Sequence, residues 1–318
     1  MPGLVTDYSR QAEFLSTRED ESHCVGMSLV PADMLLDVHS VPIHERNQDV
    51  DHSQYTAEGL AEAVRANQDW YGLDGNGTYQ EIVDAIKFGW PLGGFTMKRF
   101  SQNLRDFVDA TPICVKRTVR YGDTGHELCA SRLLDGKYDS AWISRVSALS
   151  RGPGPITLVV NWGGLGSRSS TQLAWNTGYG IVVADMLEEA GFSVEMFMMN
   201  MSEQNHYSPG QRHGQEYSAV LTPLKEAWSP VNYTAMAGLG CHSGVFRTHG
   251  FRAKLSCPVF INSGMGSTRD LSEWSEMLQP GLDSFGLHEV IYLKQAYNEQ
   301  DARKAVEETI TAINEKYE

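Results

Sequence analysis

The segment from residue 156 to residue 199 restricts the fold more than any other part of the chain. Ile156-Thr-Leu-Val-Val-Asn161 is a continuous apolar run, which is typical of a strand buried on both faces of a sheet. The apolar spacing then predicts a helix from Leu173 to Ala190 that ends at Gly191, followed by a second strand over residues 192–199. A strand, a helix and a strand with short connections form a right-handed βαβ unit, so we predict an α/β fold.

The sequence after this unit continues in the same alternating manner. Short apolar runs predict strands at Glu216–Leu221, Pro258–Ile261 and Glu289–Leu293, and helical spacing marks residues 232–245, 270–278 and 299–317. The run Arg151-Gly-Pro-Gly-Pro155 is the strongest boundary signal in the chain. We therefore expect a doubly wound α/β domain over residues 151–318.

The first half of the chain is less regular. Residues 1–55 are polar without a helical or strand period, so we predict an extended N-terminal arm there. Residues 56–150 are expected to form a small α+β region. Its clearest signal is the capping box of Thr78 and Glu81, which opens a helix that we expect to stop at Trp90-Pro91.

The charge balance excludes some classes of function. The chain has 40 Asp and Glu against 26 Lys and Arg, a formal net charge of −14. An acidic surface of this size disfavours broad binding to nucleic acid or anionic lipid. No apolar run is long enough to cross a bilayer, and residues 1–21 contain no secretory signal. The five cysteines are scattered and form no Cys-x-x-Cys pair, so we expect reduced thiols in the cytoplasm.

Several short stretches resemble one group of proteins. They are the segment from Trp70 to the Gly89-Trp90-Pro91 turn, the βαβ unit from Ile156, and Phe246-Arg-Thr-His-Gly-Phe251. Together they resemble a family of uncharacterised bacteriophage proteins with a von Willebrand factor A-like (VWA-like) C-terminal domain. The resemblance implies a VWA-like fold for residues 151–318 and a place in the cytoplasm of an infected cell or in the virion. It implies no activity.

The sequence departs from metal-binding VWA domains at one point. Those domains hold Mg²⁺ with an Asp-x-Ser-x-Ser loop after the first strand, through carboxylate and hydroxyl oxygens. The corresponding positions here are Asn161, Gly163 and Leu165, which lack the charge and the hydroxyls. We therefore predict neither a metal ion nor a cofactor, and we name no catalytic residue.

The loop after the first apolar strand is the first candidate site. Such a loop lies where parallel sheets place ligands, and a helix amino end favours an anion. It matches no nucleotide-binding motif, so a plain connection over the sheet and a partner or anion loop both stay open. The candidate residues are Asn161, Gly163, Gly164, Gly166, Ser167, Arg168, Ser169 and Ser170.

A locally basic stretch with interleaved aromatic residues is the second candidate site. Cationic and aromatic side chains together are what single-stranded nucleic acid requires. The alternative is that the aromatic residues are core and the charges are solvated. The basic residues are Lys98, Arg99, Arg105, Lys116, Arg117 and Arg120.

Histidines and cysteines supply a third, metal-dependent hypothesis. His39, His44 and His52 lie among carboxylates in the N-terminal arm, but their spacing is poor for zinc. His206, His213, His242 and His249 occur with Cys241 and Cys257 in the second half. The small residues around Cys241 favour a buried structural cysteine over a nucleophile.

These observations favour a binding protein over an enzyme. The leading hypothesis is a non-catalytic bacteriophage protein that binds a protein partner during assembly or host takeover. The alternatives are a single-stranded nucleic-acid-binding protein and a metal-dependent hydrolase. The partner could also be a second copy of the chain.

Overall fold

A computed structural model of the chain describes most of its 318 residues. The described residues are 12–17, 23–36, 40–49, 53–73, 76–108, 113, 117–123, 127–147, 155–162, 168–204, 215–227, 229–259, 261 and 271–317.

Strands and helices alternate along most of the described chain. The strands are β1 (Ala12–Thr17), β2 (His23–Leu29), β3 (Arg117–Gly122), β4 (Glu127–Leu128), β5 (Trp142–Ser147), β6 (Ile156–Asn161), β7 (Val194–Gln204), β8 (Gln215–Lys225) and β9 (Glu289–Tyr292). The helices are α1 (Ala57–Ala66), α2 (Tyr79–Phe88), α3 (Pro91–Val108), α4 (Ala130–Leu134), α5 (Ser170–Glu189), α6 (Tyr233–Gly240), α7 (Ser243–Val245), α8 (Phe251–Lys254), α9 (Ser275–Ser284) and α10 (Glu299–Tyr317). Phe246–Gly250 is a π-helical turn that joins α7 to α8.

Six strands form one mixed sheet in the order β1-β2-β8-β7-β6-β9. Strand β6 runs parallel to both of its neighbours, β7 and β9, and α5 connects β6 to β7 as the predicted βαβ unit. The pairs β1–β2 and β7–β8 are antiparallel. The predicted α/β class is confirmed, in a sheet that is mixed rather than wholly parallel.

Helices cover both faces of this sheet. On β6, Leu158 and Val160 face a core formed with α3, α5, α6 and α10, whereas Val159 faces the opposite core under α9. Residues 173–184 of α5 are buried around the whole helix, because the sheet packs on one side of it and α3 and α10 pack on others. Its amino end is fixed by a capping box of Ser169 and Gln172. None of the helices in the described parts of the chain has the length and apolar character that crossing a membrane requires.

The N-terminal arm differs from the prediction. Residues 12–17 and 23–29 are strands of the main sheet, where β2 pairs in parallel with β8 and buries Val25 and Met27. Further along, the Asn47 amide donates to the carbonyl oxygens of Leu255 (3.1 Å), Cys257 (3.1 Å) and Val259 (3.0 Å). The polar sequence concealed these contacts because their partners lie far along the chain.

One helix start and one strand differ from the prediction. Helix α2 ends at Phe88, before Trp90-Pro91 as expected, but Pro91 then begins α3 directly, since the first helical position tolerates a proline that has no N–H to donate. Pro258 and Val259, predicted as part of a strand, are bends.

Residues 117–147 form a small module apart from the main sheet. Its three strands pair in the order β3-β5-β4, and among the described residues its elements pack extensively only on one another. The module follows α3 and precedes β6, so it is an insertion at the side of the α/β body.

Candidate binding cleft

A cleft of about 1310 Å³ lies between the α2–α3 corner and the amino end of α5. Its third side is the turn from α6 into α7, with His242 and Ser243. Apolar and aromatic side chains share its lining with polar and charged groups, a combination found in ligand sites. Three segments that are distant in sequence therefore meet at this cleft.

A chain of hydrogen bonds ties these segments together. The Ser170 hydroxyl donates to Ser243 Oγ (3.1 Å), and the Ser243 backbone N–H donates back to Ser170 Oγ (3.1 Å). The Ser243 hydroxyl in turn donates to the Tyr71 carbonyl oxygen (3.2 Å). Each hydroxyl proton is thus used to hold α5, α7 and the turn after α1 in one arrangement.

His242 presents a fixed donor at the cleft. Its Nδ1 accepts the backbone N–H of Gly244 (3.2 Å), so the neutral ring carries its proton on Nε2. Burial lowers the pKa of His242 to about 4, which keeps the ring neutral at pH 7. The ring packs edge-on against Trp90 with centroids 5.0 Å apart.

One wall of the cleft is cationic. Arg168 immediately precedes the N-cap of α5, and its guanidinium lies over the Tyr297 ring at 4.1 Å. Arg247 donates to the carbonyl oxygens of Arg168 (2.8 Å) and Trp70. The partial positive charge at the amino end of α5 adds to this wall.

Acidic side chains also line the cleft, and they are called the acidic wall below. Asp69, Glu81 and Asp84 line it from the turn after α1 and from α2. Glu81 accepts the Thr78 backbone N–H (3.2 Å), and Asp84 accepts from Gln80 (2.8 Å). The lining of the cleft therefore carries both cationic and acidic groups.

An apolar rim surrounds the opening at the α2–α3 corner. Phe88 and Leu92 are 70% and 69% exposed although both are large apolar side chains. Trp70 also lines this cleft and is 38% exposed. Large apolar side chains grouped around a cleft mark a surface that another molecule covers.

The described groups do not form an activated nucleophile. The hydroxyls of Ser170 and Ser243 donate to one another and to a backbone carbonyl, while His242 Nδ1 already accepts a backbone N–H. Cys241 is buried, as predicted, and burial raises the pKa of its thiol to about 12. These groups fit recognition by hydrogen bonds and charge better than covalent chemistry.

The structure places part of the predicted loop at this cleft. Arg168, Ser169 and Ser170 line it, and Ser169 is the N-cap of α5. Asn161 does not line it: its side chain is buried at the end of β6, and its carbonyl oxygen accepts from Asn176 (2.6 Å). Gly163, Gly164, Gly166 and Ser167 lie outside the described residues.

The predicted basic residues are divided between two parts of the molecule. Lys98 and Arg99 are exposed on α3, beside the exposed ring of Phe95. Arg105, also on α3, is paired with Glu189. Arg117 and Arg120 belong to β3 of the separate module, and Lys116 lies outside the described residues. Phe100 is core and stacks on Trp175, as the alternative hypothesis expects.

The histidines are also separated. His44 Nδ1 accepts the Arg46 N–H (3.2 Å), and His249 Nε2 lies 3.2 Å from the Tyr79 hydroxyl. Within the described ranges, no group of three His, Cys, Asp or Glu side chains is arranged to hold a metal ion. The predicted candidates His39, His52, His206 and His213 lie outside those ranges.

The sequence did not single out the acidic wall or the apolar rim. One available signal was the Phe88-Gly89-Trp90-Pro91 junction, which packs a helix end and a helix start closely together. The other was the glycine-rich stretch around His242, where Gly244 approaches Ile82 and Tyr71 too closely for a side chain. Both features suggest close packing of the backbone, but the sequence does not show which segments are the packing partners.

Comparison with known proteins gives one result. Neither a curated protein nor a solved structure matches the chain. The family model described as "Domain of unknown function (DUF7192)" matches residues 37–316, so the chain belongs to this family.

Proposed function

We propose that this protein is a binding protein that holds a segment of a partner protein in the cleft. The observation that carries the proposal is that cationic, acidic and exposed apolar side chains line one cleft. A polypeptide segment presents apolar, cationic and anionic groups within a short length, so it can satisfy all three surfaces. The hydrogen-bonded hydroxyls and the neutral imidazole support binding rather than catalysis.

The acidic wall favours a polypeptide over nucleic acid at this cleft. Asp69, Glu81 and Asp84 would lie close to any phosphate backbone that entered. The net charge of −14 adds long-range repulsion. A peptide can instead place a cationic group against this wall.

The biological setting remains a prediction from sequence. The resemblance to bacteriophage proteins with a VWA-like domain supports the cytoplasm of an infected cell, or the virion, as the place of action. The position of Arg168 and Ser169 at the cleft, between β6 and α5, supports the predicted use of this loop. Assembly and host takeover are the processes that we propose.

Selection from a random peptide display library tests the proposed function. We expect the protein to enrich peptides with an apolar anchor and charged flanks. Phe88→Asp and Leu92→Asp should weaken binding of the enriched peptides at least tenfold, because each places a charge on the apolar rim. Leu134→Asp is the matched control, since Leu134 is 88% exposed in the separate module. Equal binding by all three variants would contradict the proposal.

A second candidate function is binding of single-stranded nucleic acid along α3. Phe95 is 68% exposed, and Lys98 and Arg99 are exposed on the same helix. An exposed ring beside two cations provides a stacking surface with phosphate contacts. Gel shifts with single-stranded DNA and RNA at two salt concentrations test it. Binding that survives Lys98→Glu and Arg99→Glu would exclude this surface.

A second copy of the chain is another candidate partner. The separate module exposes Leu134, Tyr138 and Trp142, a large apolar surface for so small a unit. Sedimentation over a range of concentrations measures the association directly, and Leu134→Asp should lower it. A monomer at all concentrations would exclude this candidate.

A further inference from the structure

We propose that the amino end of α5 and His242 together hold a carboxylate of the bound peptide. This inference rests on the proposed function and specifies the group that the cationic wall recognises. It concerns one end of the cleft, where Arg168, Thr171 and His242 all contribute to the lining.

Backbone donors at the start of α5 are the first part of this subsite. The N–H groups of Ser170 and Thr171 donate to no other described residue, because the capping box uses only Ser169 and Gln172. Both residues line the cleft. The helix is 20 residues long, so its dipole places partial positive charge at these groups.

His242 supplies an independent observation. Its side chain is only 4% exposed, yet the ring lines the cleft. Nδ1 accepts from Gly244, so the ring offers its Nε2 proton to a ligand or to water. Beside it, Arg168 Nε is buried and has no hydrogen-bond partner among the described residues, and a buried donor of this kind is costly unless a ligand or water completes it. The Ser170–Ser243 hydrogen bonds bring this ring close to the start of α5.

The two arginines supply the charge. Stacking on Tyr297 restricts the Arg168 guanidinium, and Arg247 binds the Arg168 carbonyl and so fixes the backbone beside it. A carboxylate placed here would receive backbone and imidazole hydrogen bonds near a cation. Hydrogen bonds to an ionised acceptor are about twice as strong as neutral ones.

The rest of the cleft restricts the anion to a single charge. Asp69, Glu81 and Asp84, which line the same cleft, would repel a doubly charged phosphate more strongly than a carboxylate. No lysine is among the residues that line the described cleft. The apolar rim accommodates the side chains of a peptide, which a free inorganic anion does not have.

Titration with acetate and with inorganic phosphate, followed by NMR, tests the subsite in the full chain. We expect acetate to shift the Ser170 and Thr171 amide signals and the His242 ring signals in a saturable manner. Arg168→Gln and His242→Phe should each weaken this binding about tenfold. Lys137→Gln in the separate module is the matched control. Should His242→Phe fail to fold, the Arg168→Gln comparison remains.

Display-selected peptides separate this proposal from the proposed function. A free C-terminal carboxylate, an amidated C-terminus with an aspartate, and an amidated peptide without acid are compared. Tighter binding of one acidic peptide than of the peptide without acid supports the subsite, and it identifies whether the terminal or the side-chain carboxylate is used. Equal binding of all three, or no saturable acetate shift, overturns the subsite while peptide binding itself stands. Phosphate binding as tight as acetate binding also overturns it, whereas failure to select any peptide counts against the proposed function.

Discussion

Gly72 lies where the turn after α1 meets the hydroxyl chain of the cleft. Its φ is +70°, a left-handed conformation that side chains disfavour. A Cβ at this position would lie 2.2 Å from Ser243 Oγ and 3.1 Å from Ser170 Oγ. The residue is therefore required both by backbone conformation and by close approach.

Replacing Gly72 by alanine should destabilise the fold and disturb the cleft. We expect a loss of about 2–3 kcal/mol, the sum of left-handed strain and displacement of the Ser243 hydroxyl. Gly136→Ala is the matched control, since Gly136 has φ +72° and a Cβ added there would have no neighbour within 4 Å. It should lose only the conformational part, about 1 kcal/mol. Urea unfolding measures both, and equal losses would show that the contact with Ser243 is unimportant.

Lys254, at the end of α8, is an ionisable residue in the interior of the protein. Its side chain is fully buried, and Nζ donates to Ser202 Oγ at 2.6 Å. Burial lowers its pKa from 10.5 to about 7. Between these two values the unfolded chain binds more protons than the folded chain, so this residue's penalty grows as pH falls from 10.5 and becomes constant below about 7.

Lys254→Met should remove that dependence on pH. Relative to the original protein, the variant should gain stability that is largest, and constant, below about pH 7. The gain should shrink by about 1.4 kcal/mol per pH unit between about pH 7.5 and 9. Urea unfolding of both proteins at several pH values gives the difference, in which other titrating groups largely cancel. A difference that is independent of pH would mean that Lys254 is charged in the folded protein over this range.

At the scale of elements, the contact between α2 and α6 sets the position of the acidic wall. A Cβ on Gly238 of α6 would lie 2.0 Å from the Ala85 carbonyl oxygen on α2. The obstacle is backbone, so neither side can yield by changing a rotamer. Helix α2 carries Glu81, Asp84 and Phe88, and any separation of the helices moves these residues.

Gly238→Ala should therefore destabilise the protein by roughly 1–3 kcal/mol and weaken peptide binding. Gly178→Ala on α5 is the control, because its Cβ would meet its nearest neighbours at an ordinary 3.7 Å. That change should stabilise the protein by about 0.5–1 kcal/mol, since alanine is the better helix former. Thermal and urea unfolding measure both variants. A stabilising Gly238→Ala would show that the two helices are free to separate.

Elements that the sequence predicts well are those whose signal is local. The apolar run of β6 and the capped helix α5 carry their own patterns, and both are present. Strands β1 and β2 were missed because β2 pairs with β8, about 190 residues later, and only that partner makes its polar-looking sequence a strand. The cleft was predicted only at Arg168, Ser169 and Ser170, because its remaining walls come from segments that are joined by tertiary packing.

At the scale of the whole molecule, residues 117–147 are an appendage to the α/β body. Of the side chains described in this module, only Ala141 is buried, while Leu134 and Tyr138 are largely exposed. It carries five Lys and Arg against four Asp and Glu, a net charge of +1 in a chain of −14. This near-neutral surface is where an acidic protein can approach another acidic molecule with least repulsion.

The module should be removable without loss of the main fold. Arg117 and Ser147 are paired across β3 and β5, so a linker of about four residues can replace residues 118–146. We expect the free energy of unfolding to change by less than about 1 kcal/mol, because none of the three described cores contains a residue of the module. Peptide binding at the cleft should be unchanged.

Deletion of residues 1–17 is the comparison for the deletion of the module. It removes β1, whose Phe14 packs beside Gly281 of α9 and which pairs with β2 along its whole length. That loss should destabilise the protein clearly, although fewer described residues are removed. Two outcomes would contradict this prediction: an equal loss in free energy of unfolding for the two deletions, or a module deletion that no longer unfolds cooperatively. Either would mean that residues 117–147 support the α/β body through contacts beyond those described. The body could then not be treated as the independent unit that carries the cleft.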